Sequence, residues 1–225
     1  MKLPPLKYVC VDDWVAGQAR DRSVLHLGCA GEYLAQSPGA CLHGRIVKAA
    51  RCVWGVEIDA ARLSQVQRWF PEDHDGRVRY LVGDVTRLQD LSINQSFDVI
   101  LAGSIIEHLA NPGDMLDGIA RLCGADTTVI ITTPNVFGLL QFLHVALRRG
   151  ERVNPQHSCW FSIQTLTELC SRYRLERMAW LTGYGWQPPS LRWSFQKMLG
   201  VPFFRFFPHV GGSLVGEFCL RAEDA

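Results

Sequence analysis

The sequence predicts an α/β fold built on a doubly wound sheet, and three observations carry that expectation. First, Val24-Leu25-His26-Leu27 is a short apolar strand that runs into the tight turn Gly28-Cys29-Ala30-Gly31 and opens towards Glu32-Tyr33-Leu34. A strand ending in a glycine turn is the usual first β–α crossing of such a sheet, because glycine permits φ > 0 and lets a ligand approach the backbone. Second, two later apolar runs end in acids, Val53-Trp54-Gly55-Val56-Glu57-Ile58-Asp59 and Tyr80-Leu81-Val82-Gly83-Asp84-Val85. Third, Phe97 to Ala102 is almost continuously apolar, as a central strand covered on both faces must be.

Composition sets the bounds. A chain of 225 residues suits a single domain, here taken as 1–225. With 48% hydrophobic and 20% charged residues it can bury a full core. Lys+Arg 23 against Asp+Glu 22 leaves a formal charge of +1, which argues against a general polyanion surface and so against a nucleic-acid partner. Eight cysteines without a Cys-x-x-Cys pair read as small buried hydrophobes in a reducing compartment, not as a zinc site or disulfide scaffold. No signal peptide or membrane-length apolar span is read, so the expected location is the cytoplasm, with no transmembrane segment.

Taken in order, Asp12 to Ala19 reads as a helix capped by Asp12 or Asp13. The segment from Glu32 to Arg51 is longer than one crossover helix requires. Ser37-Pro38-Gly39 breaks it, and a helix restarts at Leu42, so 32–51 reads as a substrate-side insertion. Asp59 caps the next helix. Asn111-Pro112 starts the helix through Leu122, with Pro at the first position. Val129 to Asn135 is a fifth strand, and Val136 to Leu147, apolar almost all round, reads as a core or substrate-cap helix. Ser162 caps an amphipathic Ile163 to Tyr173, while Leu175 to Leu181 and Ser213 to Leu220 supply the last two strands. Between them lies a second insertion, 182–210. Its aromatic stretch Phe203-Phe204-Arg205-Phe206-Phe207 is either a lid over an acceptor pocket or a surface for a peripheral contact.

The ordered series of strands over residues 22 to 135, about half of the chain, resembles the class I S-adenosylmethionine-dependent methyltransferases. Gly103-Ser104-Ile105-Ile106-Glu107-His108-Leu109-Ala110-Asn111-Pro112 is similar to a family stretch with Glu-His before Pro. The loop His157-Ser158-Cys159-Trp160-Phe161-Ser162 resembles an element of a subgroup that includes quinone O-methyltransferases and glycan-pathway proteins. The resemblance implies a Rossmann-like, mostly parallel seven-stranded sheet with the last strand antiparallel, and S-adenosyl-L-methionine as cofactor. It places Gly28, Cys29, Ala30 and Gly31 by the methionine moiety, Glu57 at the ribose, Asp84 and Val85 at the adenine, and Ile58 within the cofactor site. The backbone from Ala102 to Ser104 falls at the amino group.

The acceptor implied is a small molecule or glycan-type intermediate carrying a hydroxyl. Such an acceptor needs a group to take its proton, and His157, His108 and Glu107 are the candidates. Two positions depart from the family. His26 stands where an acid is common, and Ser104 stands where metal-using relatives carry a first Glu, so no metal is assigned. A nicotinamide oxidoreductase would want glycines where Ala30 and Leu34 stand. Methylation of RNA ends and a non-catalytic, cofactor-binding subunit of this fold remain as alternatives.

Overall fold

The computed structural model describes residues 6–31, 41–148, 150, 153–184 and 201–222. Its frame is one eight-stranded sheet in the order β1-β7-β8-β6-β5-β2-β3-β4. The strands are β1 (Lys7–Cys10), β2 (Ser23–Leu27), β3 (Cys52–Glu57), β4 (Val78–Val82), β5 (Val99–Gly103), β6 (Thr128–Pro134), β7 (Leu175–Tyr184) and β8 (Ser213–Leu220). All pairings are parallel except those of β8, which runs antiparallel between β6 and β7. The seven expected strands are therefore present. The sequence did not announce β1, an additional edge strand of four residues that pairs Lys7–Cys10 with Leu181–Tyr184. Its burial pattern shows no alternation that a strand signal could rest on.

Strand alternation sorts the core into two layers. Leu25 and Leu27 of β2, Ile100 and Ala102 of β5, and Val129 and Ile131 of β6 face one side. There they meet Met115, Leu116 and Ile119 of α4 (Pro112–Leu122) and Ile163, Leu166 and Cys170 of α6 (Ile163–Ser171). Val24, Val53, Val99, Leu101 and Ile130 face the other side. They pack on α1 (Val11–Gln18), α2 (Leu42–Ala49) and α3 (Ala60–Trp69). His26, one residue from Leu25 and Leu27, is turned by the same alternation towards α2.

Local chemistry explains most helix starts. Asp59 caps α3 by accepting from the N–H groups of Ala61 and Arg62, as expected. Ser162 and Thr165 form a reciprocal capping box on α6. Two expectations need correction. The cap of α1 is Cys10, with no side-chain bond; Asp12 and Asp13 sit inside the first turn, where a negative charge faces the positive end of the helix dipole. Asn111 occupies the cap position of α4 without a side-chain bond, so Pro112, pre-set for the first turn, marks that start instead.

The helix α5 (Leu139–Arg148) is not core: Leu140, Phe142 and Leu147 are exposed, as is Phe137 before it. Of the two expected insertions, residues 32–40 and 185–200 lie outside the described residues. Within the second, Phe204 stacks on Tyr8 of β1 with ring centroids 5.0 Å apart, while Phe206 and Phe207 are exposed. No helix among the described residues is long and apolar enough to cross a membrane.

Candidate active site

From β2 the chain winds outward through β3 to β4, then returns to place β5 on the other side of β2. The carboxyl ends of β2 and β5 thus flank the point where winding reverses, where such sheets leave a crevice. A cavity of about 740 Å³ occupies it. Its wall includes Gly28 to Gly31, Glu57, Ile58, Asp84, Val85, Gly103, Ser104, Glu107, His108 and His157. The expected site residues are gathered into one place with one exception. Ala102 is fully buried behind the wall, and Gly103 lines the cavity in its stead.

The turn after β2 is built for close approach. Gly28 adopts φ +68°, and a Cβ there would come within 2.8 Å of Ile105. The left-handed φ is what favours glycine here, since the Ile105 methyl could turn aside. Glu57, buried at the end of β3, holds the turn from the other side. Its Oε2 accepts from the Ala30 N–H at 3.2 Å, and its Oε1 accepts from the Asp59 N–H at 3.1 Å. Beside it Ile58 is 66% exposed, an apolar side chain left open against the crevice. Asp84 accepts from both the N–H and the hydroxyl of Thr86 through Oδ1, which fixes the carboxylate at the head of a short 3₁₀ turn. A cavity of this size, a turn that opens on a left-handed glycine, and a carboxylate at the end of each of the next two strands fit an adenosyl ligand.

At the other end of the crevice the backbone is bent. Ser104 takes φ +48°, a left-handed conformation uncommon for serine, held by its N–H donating to the carbonyl and hydroxyl oxygens of Thr132. The 3₁₀ turn Ile106–His108 follows. Glu107 is 2% exposed, and its Oε2 accepts from the Thr133 hydroxyl at 3.0 Å. Burial pushes its carboxyl up to about 7, against the opposing pull of hydrogen bonds from its own backbone and from Thr133.

The loop carrying His157 docks onto this turn. The Ser158 and Cys159 N–H groups both donate to the Glu107 carbonyl, and the Ser158 hydroxyl donates to the Leu109 carbonyl at 2.8 Å. The His108 and His157 rings meet edge to face with centroids 4.6 Å apart. His157 thus stands on the same side of the crevice as Glu107-His108. All three residues offer a ligand atom within 4.8 Å of one another. Two imidazoles with one carboxylate form a set softer than the all-oxygen shell Mg²⁺ prefers.

The sequence reading missed Thr133, whose signal was only a polar pair closing an apolar strand, Thr132-Thr133. It also missed the chain of polar groups behind His26. The imidazole of His26, 3% exposed, meets that of His43 through their Nδ1 atoms at 3.1 Å, and His43 Nε2 meets the Tyr80 hydroxyl at 3.0 Å. Nothing in linear spacing joins positions 26, 43 and 80.

The comparisons agree with this fold. The sequence profile of a methyltransferase domain matches residues 12–177. No curated protein matches the sequence. Among solved structures, the CcbJ methyltransferase from Streptomyces caelestis superposes with a TM-score of 0.64 at 17% identity, over 94% of this chain and 88% of that one. A TehB-like S-adenosylmethionine-dependent methyltransferase from Corynebacterium glutamicum gives 0.58 at 19% identity, over 93% and 86%. The N-methyltransferase NodS from Bradyrhizobium japonicum, in complex with S-adenosylhomocysteine, gives 0.55 at 10% identity, over 92% and 81%.

Proposed function

Given that the chain belongs to the methyltransferase domain family and uses S-adenosylmethionine as its methyl donor, we propose that it methylates a hydroxyl on a small-molecule or glycan-type acceptor. The observation that carries this reading is the cluster of Glu107, His108 and His157 at one end of the crevice, away from Glu57 and Asp84. An amine already presents a lone pair when neutral, whereas a hydroxyl must lose its proton as the new bond forms. A base cluster at the transfer end suits the hydroxyl.

The donor supplies a methyl group on a sulfonium, which leaves by in-line displacement. The chain's own part is positioning. In this reading Glu57 would hold the ribose, Asp84 and the Val85 backbone the adenine, Ile58 would lie against the adenosyl group, and the Gly28–Gly31 turn would lie against the methionine chain. Alignment of two reactants in a closed crevice supplies much of the rate of such a displacement. An unprotonated ring nitrogen of His157 takes the acceptor's proton, and His108 orients that ring. Glu107 beneath them stabilises the imidazolium once its own carboxyl has ionised. No metal is needed in this account. The likeness of the His157 loop to that of quinone and glycan-pathway O-methyltransferases supports the same class of acceptor, and the exposed Phe206 and Phe207 suit the aromatic stretch 203–207 to a peripheral contact.

The test is a methyl-transfer screen over hydroxylated acceptors in the presence of EDTA. The reading expects transfer that survives the chelator and falls roughly 10²–10⁴-fold in His157→Ala, with S-adenosylhomocysteine affinity kept. Transfer lost to EDTA and restored by a divalent cation would make Glu107, His108 and His157 ligands instead. Transfer only to RNA ends or only to amines would overturn the acceptor class. Binding without any turnover would favour a regulatory subunit.

A further inference from the structure

From the chain of hydrogen bonds behind β2 we infer that His26 is locked as the Nδ1–H tautomer and presents the bare Nε2 lone pair to the crevice as an uncharged acceptor for the ammonium group of the cofactor's methionine moiety. The inference rests on the crevice being the S-adenosylmethionine site.

The direction of the chain is fixed at its far end. The Phe70 carbonyl can only accept, and the Tyr80 hydroxyl lies 2.8 Å from it, so Tyr80 donates there. The Tyr80 oxygen must then accept from His43 Nε2, 3.0 Å away, which places the His43 proton on Nε2. His43 Nδ1 is left as an acceptor, and its partner at 3.1 Å, His26 Nδ1, must be the donor. Both rings are neutral, since burial holds His26 down to about 4 and His43 well below the usual imidazole range. A neutral imidazole has one N–H, so His26 Nε2 carries none.

The reverse arrangement would aim a His26 Nε2–H into the crevice. It would also require Tyr80 to donate to His43 and leave two oxygens facing each other at 2.8 Å with no hydrogen between them. That cost selects the first arrangement.

Nδ1 is taken up by His43, so Nε2 is the ring nitrogen left for the crevice. It lies 3.9 Å from where a Cβ on Gly103 would stand, and His26, Gly103 and Ser104 all line the cavity. Among the described residues no protein group bonds to it. An N–H donor completes it; a carboxylate would meet only its lone pair. The cofactor's methionine end carries one group of each kind, so the relay selects which of them lies against β2. His43 and Tyr80 are positioning residues that act through His26.

The test uses the full chain labelled with ¹⁵N-histidine, read by long-range ¹H–¹⁵N correlation of the imidazole rings at neutral pH. The expected result is a proton on Nδ1 of His26 and on Nε2 of His43, with the His26 Nε2 resonance moving when S-adenosylhomocysteine is added. In parallel, calorimetry compares S-adenosylhomocysteine with its des-amino analogue. In His26→Ala, affinity for the first should fall roughly 10–100-fold while the second changes little. In Tyr80→Phe the lock is released and discrimination between the two shrinks. A proton found on His26 Nε2, or equal losses for both ligands, would overturn the inference. If the wild type titrates neither ligand, the cofactor reading fails and this contact with it, a result separable from the tautomers, which are read without ligand.

Discussion

The backbone N–H of Ser158 donates to the carbonyl oxygen of Glu107 over 2.8 Å, joining the loop that carries His157 to the turn that carries His108. The Ser158 hydroxyl reinforces the join through the Leu109 carbonyl. Ser158→Ala removes the hydroxyl's bonds to the Leu109 carbonyl at 2.8 Å and the Glu107 carbonyl at 3.3 Å but leaves the backbone join, a loss worth about 1 kcal/mol. We expect a several-fold drop in kcat with S-adenosylhomocysteine affinity unchanged, measured by steady-state kinetics beside calorimetry. An unchanged kcat would show that the loop is held without it.

The rate should rise with pH through the neutral range. Burial raises the Glu107 carboxyl to about 7, so below that pH the cluster lacks the negative charge that stabilises a protonated His157. Glu107→Gln should lower the rate at pH 8 and remove the component of the profile that titrates near 7. A wild-type and Gln profile of identical shape would remove Glu107 from the chemistry.

Stability should fall in mild acid. The folded-state value of His26 is depressed to about 4 and that of His43 is depressed too, so both stay neutral when folded but bind protons when unfolded. The sign follows. Their contribution is fully present above the unfolded imidazole value of ~6.5 and is lost as pH falls towards 4, on the order of 3 kcal/mol for His26 alone. Denaturant unfolding at pH 7, 6, 5 and 4 measures this. The His26→Gln/His43→Leu double variant should show a flatter dependence; an equal slope would place the acid sensitivity elsewhere.

The parts of the fold that rest on local chemistry were legible in the sequence. Gly28 is required by its positive φ, Asp59 by the open N–H groups of α3, and the run Val129 to Ile131 by burial on both faces. Glu57, Asp84, Glu107 and His157 were legible as residues facing the crevice because each follows a strand or opens a turn at that end of the sheet. What could not be read was long-range. The strand β1 is recognisable only by its partner, β7, more than 160 residues away in the chain. The packing of His157 on His108 depends on where a loop lands, and the relay from His26 to Phe70 joins four elements that share no sequence period.

The account centres on the crevice at the ends of β2 to β5 as an adenosyl site gripped by Glu57. Calorimetric titration of S-adenosylhomocysteine into the wild type and Glu57→Ala tests it most directly. Glu57 already orders the turn through Ala30 and would add charge-assisted bonds to the ribose, so its loss acts on both. The expected result is micromolar or tighter binding to the wild type, weakened by about 1–3 kcal/mol in the variant while its thermal unfolding stays cooperative. No binding to the wild type, or equal affinity for both proteins, would contradict it.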